Sequence, residues 1–186
     1  MRAVLREKIT ELLQELPHIV NTYASYGPYS ASAIQWLESV EKTLLNFRSP
    51  LASQVAVERS RILAVKDGMV GKDVVSEKVS KNKAIRAVTT YTLIRVEESL
   101  RDQVEKIDQQ LKELKEKMAS YLAAVTAEVA IPLPPTEPRL EWLRKIWKLL
   151  GEHKNTQALY NYLNCSLTMN DRLDLFDDLL SNLLSE

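Results

Sequence analysis

The sequence predicts an all-α protein: an N-terminal helical bundle with one long heptad-patterned helix, plus a small C-terminal helical module. Three observations carry this. Glycine, which tight turns need, occurs only four times in 186 residues. Leu, Glu, Lys, Ala and Gln, all good helix formers, are abundant. Apolar residues recur at steps of three and four along most of the chain, with no strand-like alternation.

The first helix is expected from about Arg2 to Tyr23, with Val4, Leu5, Ile9, Leu12, Leu13, Leu16, Ile19 and Val20 on one stripe. Pro17 lies inside it, so a kink or break is expected near Glu15. Tyr23 to Tyr29 reads as a turn around Gly27 and Pro28. A second helix starts at Ser30 or Ser32 and buries Leu37, Val40, Leu44 and Phe47. Ser49-Pro50 then punctuates the chain: serine caps the third helix, and proline takes its first position, where a missing donor costs nothing. Leu51, Val55, Ile62 and Leu63 are its core candidates, and Gly68 is its C-terminal cap. Met69 to Val75 reads as a loop.

From about Ser76 to Val129 there is neither proline nor glycine. Such a helix would span on the order of 75 Å. Val104, Ile107, Leu111, Leu114, Met118, Tyr121 and Val125 alternate steps of three and four, a heptad seam flanked by charge. Upstream, Leu93, Val96 and Leu100 follow the same rule, and the further step of four to Val104 reads as a stutter. Ile131 to Pro138 is rich in proline and reads as a stiff linker. The expected division is therefore 1–130, the linker 131–138, and a three-helix module 139–186. In that module Leu140, Leu143, Ile146, Trp147 and Leu150 face inward, and the helix stops near Gly151. A short helix covers Thr156 to Leu163. A last one runs from Asn170 to Leu184, with Leu173, Phe176, Leu179, Leu180, Leu183 and Leu184 inward and Asp171, Asp174, Asp177 and Asp178 bordering its start.

Chemistry is sparse. His18, His153 and Cys165 are the only histidines and cysteine, too few for an ordinary zinc site. Glu15 and His18 have the Glu-x-x-His spacing of di-iron bundles, but those need it twice, so His18 reads as a surface residue. Cys165 has no motif around it and reads as a small, semi-buried thiol. Adjacent carboxylates, Glu97-Glu98 and Asp177-Asp178, point to different helix faces and read as solvated charge. No glycine-rich phosphate loop is present. No catalytic, metal or cofactor residue is assigned, and no cofactor or small-molecule substrate is implied. A lone cysteine and the lack of a signal-like or membrane-spanning apolar run lead to the expectation of a cytoplasmic protein without a membrane partner.

With formal net charge +0, no global field marks a nucleic-acid binder. The expected function is that of a non-catalytic protein-interaction subunit, an adaptor or assembly factor in a multi-protein complex. The partner, another protein or a second copy, would dock on the long helix at Val104, Ile107, Leu111, Leu114, Met118 and Tyr121. Trp142, which falls off its helix's apolar stripe, and Phe176 and Leu184, on an apolar face wider than its neighbours can cover, are the other expected contacts. The alternative is a nucleic-acid-binding accessory protein using the basic stretch 59–86, with Lys72, Lys78, Lys81, Lys83 and Arg86 on phosphates. That stretch has no aromatics for base stacking, so a solvated loop is preferred to it.

Overall fold

The computed structural model describes residues 2–24, 26–69, 80–127 and 138–183. Among them the chain is all-α, with seven α-helices, one 3-10 turn and no strand. By its contacts the chain divides into two compact units, one of Val4–Ile107 and one of the residues from Asp108 onward with the first three of the chain.

Helix α1 (Arg2–Asn21) buries Leu5, Ile9, Leu12, Leu16 and Ile19, while Val4 and Val20 stay exposed. It runs through Pro17 without the expected break. Pro17 lies on the exposed side, so the ladder loses one donor where water can solvate the carbonyl left behind. Leu12, Leu16 and Ile19, buried on either side of it, hold the register. Helix α2 (Tyr26–Asn46) starts earlier than the serines proposed as caps. Gly27 and Pro28 fall in its first turn, where a proline's missing N–H has no intrahelical partner to lose. Tyr29, Ala33, Trp36, Leu37, Val40 and Leu44 are its buried face.

Helix α2 ends in a left-handed cap made by a non-glycine residue. Arg48 has φ 54°, its N–H donates to the Leu45 carbonyl at 2.9 Å, and the Ser49 N–H donates to the Leu44 carbonyl at 2.9 Å. This pair of bonds is the Schellman pattern. Helix α3 (Leu51–Lys66) ends in the same way on the expected Gly68, at φ 84°, with Met69 N–H donating to Ala64 and Gly68 N–H to Val65. Its buried residues are Ala52, Val55, Glu58, Ile62 and Val65, with Leu51 and Leu63 only half-buried.

Helix α4 (Lys81–Thr126) is 46 residues long. In the first unit it buries Ala84, Ile85, Val88, Thr89, Thr92, Leu93, Val96, Leu100 and Ile107. Its remainder belongs to the second unit. There Leu114, Met118, Tyr121, Leu122 and Val125 share one core with Trp142, Leu143, Ile146, Trp147 and Leu150 of helix α5 (Arg139–Leu150), Leu163 of α6 (Gln157–Ser166), and Leu173, Phe176 and Leu180 of α7 (Met169–Leu183). The proline-rich stretch expected as a linker lies outside the described residues except for Pro138.

The second unit is built around aromatic contacts. Trp147 stacks on Tyr160 at 5.2 Å between ring centres and meets Phe176 edge-on at 5.3 Å. Thr168 caps helix α7: its hydroxyl accepts from the Asp171 N–H at 3.3 Å and donates to the Asp171 carboxylate at 2.8 Å. The acidic border is largely engaged, with Asp177 on Arg139 and Asp178 on Lys115.

Candidate functional site

The expected contact residues divide by burial. Leu114, Met118 and Tyr121, with Phe176 and Trp142, are buried in the core of the second unit, and α5, α6 and α7 of the same chain cover them. Trp142 is thus a core residue: the apolar stripe of α5 is wider than expected and takes Trp142 in, while Leu140 at the helix start is 49% exposed. Ile107 is buried, and Val104 and Leu111 are half-buried. Leu184 lies outside the described residues.

Of the basic stretch, Lys72 and Lys78 lie outside the described residues, and Lys81 and Lys83 are exposed at the start of α4. Arg86 is half-buried, its guanidinium 4.8 Å above the Tyr23 ring. Tyr23 in turn meets Tyr29 edge-on, and the Tyr29 hydroxyl pairs with that of Thr90 at 2.9 Å. Arg59 is held by Glu38 and Glu41, and Arg61 by Glu58. These pairs cancel part of the positive charge that the sequence alone presents.

The candidate metal and nucleophile positions do not converge. Glu15 and His18 are both exposed on α1, and no group of three or more His, Cys, Asp or Glu side chains suited to a metal ion occurs among the described residues. Cys165 is a free thiol and exposed, not semi-buried, because it lies on the outer side of α6.

A different surface has both shape and charge. A groove of about 370 Å³ runs between α3 and α4 in the first unit. That is within the usual range for binding pockets, roughly 300–1,000 Å³. Half-buried Leu51 and exposed Val57 are its accessible apolar walls, backed by buried Val55 and Val96, and Gln54 and Ser99 add polar edges. At one end stand Glu58, Arg61 and Arg95. The Glu58 side chain is only 10% exposed, and Arg61 Nη1 donates to both of its oxygens at 2.9 Å. Arg95 reaches the same carboxylate from α4, at 3.2 Å. Both arginine side chains stay about half exposed, at 47% and 46%. The result is two positive groups on one negative group, a local excess of positive charge over an apolar floor.

Nearby α3 and α4 carry apolar side chains that no core position requires: Val57, 56% exposed, with Tyr91 and Ile94 also exposed. Arg95 lies 5.7 Å from the Tyr91 ring centre. The cluster is not legible in the sequence because Arg95 comes from α4, far along the chain from Glu58 and Arg61 on α3, and the three match no motif. The one usable signal was Glu58 at a buried register position of α3, four residues before Ile62. Compared with protein-family models, curated proteins and solved structures, the chain matches none.

Proposed function

We propose that this chain is a non-catalytic protein-interaction subunit, an adaptor or assembly factor, and that it takes its partner on the α3–α4 face of the first unit. The observation that carries the reading is the groove beside exposed Val57, where apolar walls and half-exposed arginines lie together. Apolar area rimmed by charge is what partner helices recognise. Arginine and tyrosine are also enriched among the residues that dominate binding energy. The heptad seam supports the reading less. Its second half is already spent on the chain's own helices.

The test uses the full chain, wild type and Val57→Asp, immobilised in extract of the source organism. Val57 is exposed, so the variant should melt as the wild type does. Proteins retained by the wild type and released by the variant are the expected result, and sizing of the recovered complex separates a distinct protein from a second copy. Identical retention by both chains would rule this face out. Recovery of nucleic acid in place of protein would favour the accessory-protein reading.

A further inference from the structure

We propose that the segment docking in the α3–α4 groove is a short amphipathic helix of the partner bearing an Asp or Glu beside its apolar face. The proposal rests on the protein-interaction reading above and adds the chemistry of the partner. Glu58 meets both arginines at Nη1. Each guanidinium carries five N–H donors in a planar fork, so the remaining edges have donors to offer. A half-exposed arginine pair with a single carboxylate between them lacks one negative charge. An incoming carboxylate would supply it, with charge-assisted hydrogen bonds to the outward edges. An incoming lysine or arginine would meet net repulsion.

The dimensions fit a helix. The groove follows α3 from Leu51 to Arg61, which at helical rise is about 15 Å, or roughly three turns of a partner helix. Val57 and Arg61 are four residues apart on α3, so apolar contact and charge lie on one side of it. A partner helix laid along this groove would present an apolar residue to Val57 and an acidic one, a turn away, to Arg61 and Arg95.

The experiment is a selection of helical peptides from a randomised displayed library on the immobilised full chain. Enriched peptides are then measured by fluorescence anisotropy against four chains: wild type, Arg61→Gln, Glu58→Gln and Val57→Asp. The expected peptides carry Asp or Glu flanked by Leu, Ile or Phe. Their affinity should fall roughly tenfold in Arg61→Gln, the size expected for one charge-assisted hydrogen bond. In Glu58→Gln, where the competing carboxylate is gone, they should bind more tightly. That gain cannot come from unfolding. Peptides that depend on Val57 but carry no acidic residue, or ignore both Arg61→Gln and Glu58→Gln, would overturn the acidic-helix proposal and leave the docking surface standing. If no peptide is enriched over a blank surface, or binding is the same in Val57→Asp, both the proposal and its underlying surface fail.

Discussion

The indole Nε1–H of Trp36 donates to the backbone carbonyl of Leu12 at 2.8 Å, which ties α2 to α1 one turn before Pro17. Proline at position 17 removes the donor for the next carbonyl, that of Leu13, so this is where α1 is least secured by its own ladder. Trp36 is 3% exposed and fills the space beside that turn. Trp36→Phe keeps an aromatic ring but loses the hydrogen bond and some volume. It should lower stability by about 1–3 kcal/mol. Chemical denaturation measures the loss. A variant that unfolds at the wild-type midpoint would show that the bond does not help α1 continue through the proline.

Arg48 holds a left-handed conformation, φ 54°, with an exposed side chain. For a residue with a Cβ this costs roughly 1–2 kcal/mol. Glycine avoids that cost but adds about 0.5–1 kcal/mol of chain entropy to the unfolded state. The first effect is the larger. Arg48→Gly should therefore raise stability by roughly 0.5–1 kcal/mol, the difference of the two. A lower melting temperature would mean that the Arg48 side chain contributes more than its exposure implies.

Helices and their faces were legible wherever periodicity alone decides them. Leu37, Val40 and Leu44 are buried as their spacing requires, while Phe47, just past the end of α2, is only half-buried, and Gly68 caps α3 as its position requires. Periodicity states that a face is covered, not what covers it. Leu114, Met118 and Tyr121 form a heptad seam whether a second copy or the chain's own α5–α7 packs there, and the spacing is the same for both. Trp142 looked peripheral because a narrow stripe was drawn through α5. In a module this small, three short helices wrap around one another and the buried arc widens. The cluster of Glu58, Arg61 and Arg95 depends on α3 lying beside α4, which local spacing does not encode. The Arg48 cap was hidden for another reason: glycine is the usual marker of a left-handed cap, and none stands there.

Gly151 is required by its neighbour. A Cβ at this position would come within 2.3 Å of Cζ of Tyr160, whose ring is itself stacked on Trp147. Its φ of −70° suits any residue, so the constraint is close approach and not backbone conformation. Gly151→Ala should cost about 1–3 kcal/mol through overpacking. Removing the ring should remove that cost, so in a Tyr160→Ala background the same substitution should be neutral or mildly stabilising. Additive effects in the four-chain cycle would refute the steric explanation.

Tyr121 is fully buried, and its hydroxyl has no partner at hydrogen-bonding geometry. Burial, with Tyr160 adding to it, pushes the phenol well above its ordinary range, and Thr156 pulls it back only in part. The folded chain therefore holds this proton more tightly than the unfolded chain does. Below the ordinary tyrosine value of 10.0 both states keep the proton, and the contribution of Tyr121 to stability is complete. As pH rises past that value the unfolded chain releases the proton first, so stability is lost progressively until the folded value is reached. Tyr121→Phe has no proton to lose. Its denaturation midpoint near neutral pH should equal or exceed that of the wild type, because an unpartnered buried hydroxyl is gone. By about pH 11 its advantage should have grown by about 1 kcal/mol. The rest of the sequence is the same in both chains, so the difference reports on Tyr121 and its interaction with the neighbouring Tyr160. A constant gap between the two chains from pH 8 to about pH 11 would show that Tyr121 ionises in the folded protein as it does in water.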